Sequence, residues 1–346
     1  MKAVFSKVQL EHDPQFFMHK GKVVPHPEQP ERAKRLLQGV EKANCDLVEP
    51  SAFGDEHILA IHPKRYISFL KEAHDYWEQL QGAAPEIVPN IHPVEVPATY
   101  PDNFVGRSGW HQTDLACPIG ERTWAAARSA ADCALTVAHM VKTVEVSAAY
   151  ALCRPPGHHA YTERAGGFCF LGNSAIAAQY LLQAHQKVAI VDVDVHHGNG
   201  TQGIFYGRGE VLTCSVHADP MDYYPFYWGH SAEAGEGEGE GANLNLPVPV
   251  RSDDEVWLAA VDRACEAVAA FGATALVVAL GLDAHEKDPL LGGAVTTEGF
   301  SQISARLAAL SLPTAIIQEG GYLTDHLGDN LASFLGGFEA AHQVAA

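Results

Sequence analysis

The chain carries no Cys-x-x-Cys pair, no run of basic residues and no apolar stretch near the roughly 20 residues that a membrane span needs. Each absence removes a class of protein. The seven cysteines are odd in number and dispersed, so they fit a reducing cytoplasm rather than a disulfide framework. Cys153, Cys169 and Cys214 lie in apolar, strand-like surroundings and read as small core residues. Lysine and arginine number 23 against 42 aspartates and glutamates, a net charge of -19 with histidine neutral. Nucleic-acid binding needs cationic surface for phosphates, so that partner is excluded, while a cationic small substrate suits the balance. Met1-Lys2-Ala3-Val4-Phe5 is too short an apolar run for a secretory signal. The expectation is a soluble, cytoplasmic protein with neither a membrane nor a nucleic-acid partner.

What is present points to an α/β protein. Of 346 residues, 47% are apolar and 31 are glycine, enough for a large core with tight strand–helix turns. Met1–Ser6 reads as a first strand, and His12–Pro30, with four prolines, as loop. Helical spacing appears over Glu31–Ala43, His57–Ile61, Tyr66–Leu80, Thr123–Thr143, Asn173–His185, Asp254–Phe271, Glu298–Leu310 and Leu331–Ala341. Apolar strand runs occupy Ala148–Cys153, Lys187–Asp192, Val211–Val216, Ala275–Leu282 and Thr314–Gln318. Such alternation means a mostly parallel sheet with helices on both faces, and no composition break divides residues 1–346 into separate domains. The segment 81–120 is different. Prolines at 85, 89, 93, 97, 101 and 118 predict a long irregular insert, whose Tyr100, Phe104 and Trp110 need something to pack on. The acidic, glycine-rich stretch Gly235–Gly241 reads as a solvated loop.

The chain is organised around Lys187–Gly200. A β-branched run meets Asp192, Asp194 and His196 at its carboxyl end, where alternate residues project from one face. Buried ionised aspartates cost several kcal/mol unless paired or bound to metal, so the trio suggests a divalent metal site, with Gly198 and Gly200 turning the chain away. Four further strands end in polar chemistry: His158-His159, Ser215 to His217, Asp283, and Glu319 to Tyr322. Ligands of open parallel sheets bind at that edge. Asp283 makes a third ligand beside Asp194 and His196, leaving an open position at which water is acidified and a carbonyl polarised. Zinc fits an Asp2His set, as do iron and cobalt. One imidazole of His158-His159 can move a proton to a leaving amine, given a tautomer-fixing partner such as Asp192 or Asn199. Tyr322, after two glycines, can meet a developing oxyanion. His57, His62 and His74 show no ligand spacing and carry no expected function.

Arg154-Pro-Pro-Gly-His-His159, Gly166-Gly-Phe-Cys-Phe170, Asp192-Val-Asp-Val-His-His-Gly-Asn-Gly-Thr201, Gly281-Leu-Asp283 and Glu319-Gly-Gly-Tyr322 together resemble the histone deacetylase superfamily. His26-Pro-Glu-Gln-Pro-Glu-Arg32 is similar to that family's early loop, and the amino-terminal start and long insert resemble its bacterial acetylpolyamine amidohydrolases. The resemblance implies the arginase–deacetylase fold, one catalytic Zn2+ at Asp194, His196 and Asp283, and hydrolysis of small N-acetylated amines such as acetylputrescine. It implies His159 as general base and acid, His158 with Asp192 as electrostatic helper, Asn199 beside His159, and Tyr322 on the substrate carbonyl. Phe168 and Tyr224 would line a tunnel, the Gly167 carbonyl would accept the substrate N–H, and a structural K+ would touch Asp192, Asp194, His196, Ser215 and Val216. It also implies a homodimer formed through the insert.

One residue departs from the pattern. Val105 stands where the acetylpolyamine enzymes carry a glutamate that recognises a distant ammonium, and Asp102 or Asp114 would have to substitute. A two-metal ureohydrolase is disfavoured because Gly198, Gly281 and His285 occupy the places of its bridging carboxylates. A protein acetyl-lysine deacetylase shares the chemistry but needs an open mouth, and a binding protein without turnover would not need the full set of groups.

Overall fold

The β-branched runs form one sheet. The computed structural model describes residues 1–94 and 98–342; Pro97 of the insert lies outside them. Its strands are β1 (Lys2–Val4), β4 (Asp46–Val48), β5 (Ala148–Ala151), β6 (Val188–Asp192), β7 (Val211–Ala218), β8 (Asn243–Val248), β9 (Ala275–Leu280) and β10 (Thr314–Gln318). They pair in the order β4-β1-β5-β10-β9-β6-β7-β8, and every pairing is parallel. A separate antiparallel hairpin joins β2 (Phe16–His19) to β3 (Lys22–Pro25).

Helices α1 (Pro30–Lys42), α2 (Glu56–Leu59), α3 (Lys64–Trp77), α4 (Phe104–His111), α5 (Thr123–Lys142), α6 (Asn173–Leu181), α7 (Asn199–Phe205), α8 (Asp254–Phe271), α9 (Thr297–Ala308) and α10 (Leu327–Ala341) complete the chain. Local chemistry sets several boundaries. Pro30 opens α1, while the Asp253 and Thr296 side chains accept the first free N–H groups of α8 and α9. None of the described helices is long and apolar enough to cross a membrane.

The sheet separates two cores because strand side chains alternate. Val191, Val278 and Ile316 face one core with Trp257, Phe300, Phe334 and Phe338, beneath α1, α8, α9 and α10. Their neighbours Ile190, Val277 and Ile317 face the other, with Tyr66, Phe69, Leu135 and Ile176 of α3, α5 and α6. Each central strand is therefore covered twice, which is why its sequence shows no polar face. Cys153, Cys169 and Cys214 lie in this interior as expected, and all seven cysteines are free.

Several segments differ from expectation. The stretch His12–Pro30 holds the β2–β3 hairpin, whose half-exposed residues give little alternation to read. β4 and β8 are edge strands with weak apolar patterns. Gly198 and Gly200 do not simply turn the chain away, because α7 begins at Asn199. The acidic stretch makes one short 3-10 turn at Gly237–Gly239. The insert is also more ordered than its prolines suggest. It contains α4, capped by the Asn103 side chain, and its aromatics do find partners. Phe104 stacks on Tyr76 at 4.1 Å, and Tyr100 meets Trp110 edge-on at 5.4 Å.

Candidate active site

Neighbouring strands β5, β10, β9 and β6 deliver their carboxyl ends to one place. β6 ends at Asp192, and the chain bends just beyond, so the expected single face of Asp192, Asp194 and His196 does not persist. Asp194 and His196 turn towards Asp283, which follows β9, and one donor atom from each lies within 4.8 Å of the others. His196 Nδ1 is 3.0 Å from Asp194 Oδ1 and 3.2 Å from Asp283 Oδ2. Asp192 turns the other way, to His158.

The donor set fits a divalent cation. Asp194 and Asp283 are completely buried, and two carboxylates held together without water repel strongly. Asp194 Oδ1 accepts the His196 N–H at 2.9 Å, Oδ2 accepts the Gly320 N–H at 2.7 Å, and Asp283 Oδ1 accepts the Val195 N–H at 3.1 Å. Asp283 Oδ2 has no hydrogen bond, so its approach to His196 is an electrostatic contact. Gly320 is obligatory here. A Cβ at that position would sit 2.2 Å from Asp283 Oδ2 and 2.4 Å from Asp194 Oδ2. His196 stacks on Tyr223 at 5.1 Å, which orients its ring.

The adjacent histidines have opposite surroundings. His158 Nδ1 donates to Asp192 Oδ2 at 2.9 Å, and its Nε2 is 3.8 Å from Asp194 Oδ1. Burial opposes its charge, yet Asp194 and Asp192 outweigh burial and raise it to about 10. His159 Nδ1 donates instead to Asn199 Oδ1 at 2.6 Å. Burial and the neighbouring His158 cation push it well below the usual histidine range. Environments that split two like groups in this way assign one a fixed charge and the other a free lone pair.

Glu319 holds this pair in place. One of its oxygens accepts the N–H groups of Gly157 and His158, and the other accepts Ser174 Oγ–H at 2.7 Å. Burial raises its carboxyl to about 7. In the sequence Glu319 stands out as a polar strand end and part of a family motif, with no role of its own.

Tyr322 is buried, with its ring 5.6 Å from Phe168 and under the Arg32 guanidinium. Arg32 donates to the carbonyls of Glu319 and Gly321, and the Tyr322 N–H donates to Asp288 Oδ2 at 2.8 Å. Burial and the Asp283 charge push Asp288 up to about 8. No motif signalled Asp288, because a lone aspartate before proline reads as an ordinary turn. Arg32 lay in the early-loop resemblance, but only folding brings it to a turn 289 residues away.

Phe168 is buried and packs against His26 at 4.5 Å and Phe17 of the unexpected hairpin at 5.5 Å. Tyr224 stands edge-on to His159 at 5.0 Å, near Gly167. Ser215 lies opposite Asp192 in the β6–β7 register, and both line a cavity of about 10 Å³. Val216 follows in β7. Val105 lies in the first turn of α4. Asp102 is fully exposed, 3.9 Å from Arg107. The Asp114 carboxylate already accepts the N–H groups of Ala116 and Gly167 and the Tyr224 hydroxyl. His62 is structural: it accepts the Gly172 N–H at 2.9 Å and donates to Thr162 O at 2.8 Å. His285 faces Phe300 and stays out of the cluster.

Comparison with known proteins agrees with this geometry. Residues 26–338 match the histone deacetylase domain. The acetylpolyamine amidohydrolase of Burkholderia pseudomallei is 42% identical over 341 residues, 98% of this chain and 99% of that protein. The acetylpolyamine amidohydrolase of Mycoplana ramosa is 37% identical over 340 residues, 97% of this chain and 99% of its own. A crystal structure of acetylpolyamine aminohydrolase from Burkholderia pseudomallei superposes with a TM-score of 0.95, covering 99% of this chain and 100% of that one. The HDA15 HD domain, 26% identical, gives 0.82 over 99% of this chain and 90% of its own. With its parallel sheet and its polar groups gathered at one edge, the chain belongs to the histone deacetylase family of amide hydrolases.

Proposed function

We propose that the protein is a zinc-dependent amidohydrolase, a single catalytic domain that removes the acetyl group from small N-acetylated amines, acetylpolyamines such as acetylputrescine foremost. The observation that carries this reading is the buried Asp194–His196–Asp283 cluster beside two histidines, one bonded to the Asp192 carboxylate and the other to the Asn199 amide. These three residues would hold the ion, which when bound supplies Lewis acidity towards water and the amide carbonyl. Two carboxylates and one imidazole suit zinc.

The remaining work falls to the chain's own groups. His159, neutral and with Nδ1–H tied to Asn199, presents Nε2 as the base that takes a proton from the attacking water. A C–O bond forms, the amide C–N bond breaks, and the same nitrogen returns the proton to the leaving amine. His158 stays cationic against Asp192 and steadies negative charge nearby. The Tyr322 hydroxyl donates to the carbonyl oxygen as it gains charge, and burial keeps that phenol protonated. Phe168 and Tyr224 line the substrate tunnel, and the Gly167 carbonyl accepts the substrate N–H. Around Asp192, Asp194, His196, Ser215 and Val216 we propose a structural K+, supported by the Asp192–Ser215 pairing beside a small cavity. We further propose a homodimer through the insert, supported by exposed Ile91 and Val94 on its surface, and a cytoplasmic location, consistent with seven free thiols.

The test is a substrate panel of acetylputrescine, acetylspermidine, an acetyl-lysine peptide and simple aryl acetamides, each with and without a chelator. Preference for the acetylated polyamines, abolished by chelation, supports the assignment. Preference for the peptide makes the protein a lysine deacetylase, and full turnover of chelated protein rejects the chemistry.

A further inference from the structure

Gly167 has a left-handed backbone, φ +50°, and a Cβ there would fall 2.3 Å from His159 Cδ2 and 2.9 Å from the Tyr224 hydroxyl oxygen. Phe168 follows at φ +72°, a region costly for an aromatic residue unless its surroundings impose it. The imposing group comes from the insert. Asp114 Oδ2 accepts both the Gly167 N–H at 3.0 Å and the Tyr224 O–H at 2.7 Å, while Oδ1 accepts the Ala116 N–H at 2.9 Å. Backbone bonds from Thr113 N to Ala165 O and from Ala165 N to His111 O, both 2.8 Å, anchor the insert beside this point. One carboxylate thus ties together three segments that are remote in sequence, with both of its oxygens engaged by the chain's own donors.

We infer that Asp114 is a positioning residue that sets the bore of the tunnel for the substrate's amine chain by holding Gly167 and Tyr224 against His159. This rests on the amidohydrolase reading above. Releasing Asp114 frees the Tyr224 ring to swing and relaxes the Gly167–Phe168 turn, widening the path beside His159. Discrimination against bulkier amine chains is what suffers.

The experiment compares the N-acetyl forms of a linear and a branched alkylamine on metal-loaded wild type, Asp114→Ala, Asp114→Asn, Tyr224→Phe and the Asp114→Ala/Tyr224→Phe double variant. The linear-to-branched ratio of kcat/KM should fall roughly fivefold or more in Asp114→Ala, through KM more than kcat. Tyr224→Phe should show part of that loss, and the double variant should be no worse than Asp114→Ala, as expected for groups acting as one unit. A ratio unchanged within about twofold in Asp114→Ala overturns the inference. Should that variant not fold, Asp114→Asn and Tyr224→Phe decide, and unchanged ratios in both overturn it. Wild type without turnover of any acetylated amine would defeat the amidohydrolase reading instead. The bore would then be judged by the relative binding of acetohydroxamate and a bulkier alkyl hydroxamate, a ratio that Asp114→Ala must still shift.

Discussion

His159 Nδ1 lies 2.6 Å from the amide oxygen of Asn199, whereas its neighbour His158 faces the carboxylate of Asp192. A neutral amide fixes the tautomer and raises basicity less than a carboxylate would, so His159 remains a weak base, its protonation held below the usual histidine range by burial and by His158. Activity should therefore persist well into mild acid. Asn199→Asp places a negative charge against the same ring, and the acidic limb of the kcat/KM profile should move up by about one pH unit or more. An unmoved limb would remove His159 from the role of base.

Tyr322→Phe deletes one hydroxyl and leaves the ring packed on Phe168. A donor aimed at a developing oxyanion contributes about 10²–10³ in kcat, and a loss of that order is expected. Metal content and KM should change little. Rates within about twofold of wild type would contradict the role.

Asp194→Ala removes a carboxylate that touches His196, His158 and the Gly320 N–H. Metal analysis of the purified variant should find the site empty, while wild type holds one ion per chain. Activity of the wild type should vanish on chelation and return with added Zn2+. Stoichiometric metal in the variant would move the site elsewhere.

Glu319→Ala strands three buried donors, the N–H groups of Gly157 and His158 and the Ser174 hydroxyl. Leaving each unpaired costs about 1–3 kcal/mol, so a loss of roughly 3 kcal/mol or more is expected in urea unfolding. Turnover should fall as well, because the turn that aims both histidines loosens. A stability change under about 0.5 kcal/mol would show that the turn holds itself.

His62 accepts one backbone N–H and donates to one carbonyl, an arrangement only the neutral ring satisfies. Burial lowers it to about 4, below its ordinary value of 6.5. Between those limits the unfolded chain binds a proton that the folded chain refuses. Its contribution is thus complete above pH 6.5 and is lost as pH falls towards 4, roughly 3 kcal/mol in all. His62→Gln should flatten the stability curve over that window. A slope identical to wild type would exclude His62 as a source of acid sensitivity.

Much of the fold was legible because its central strands are buried on both faces and its longer helices carry clear caps and apolar stripes. β10 and α8 fall where the sequence reading placed them. The misses have a common cause. The β2–β3 hairpin, β4, β8, α4 and α7 are short or lie at edges, where local pattern is weak and tertiary contact decides. At the site, Asp194, His196 and Asp283 could be picked out because carboxylates ending apolar strands are costly without a partner. Asp288 and the bracing roles of Asp114 and Glu319 escaped, since each acts through one hydrogen bond or a few to backbone or hydroxyl groups remote in sequence.

By itself the amino-acid order determined which side chains could do chemistry and that they would gather at the carboxyl edge of a parallel sheet, because strand periodicity and the cost of buried charge act locally. Only the tertiary structure decided how those groups divide. It sent Asp192 to His158 and away from His196, gave His159 an amide for a partner, and turned the insert's Asp114 from a candidate receptor for ammonium into a brace for the tunnel wall. The physical reason is that a carboxylate's role depends on which donors reach it, and here those donors arrive from segments 34 to 110 residues distant.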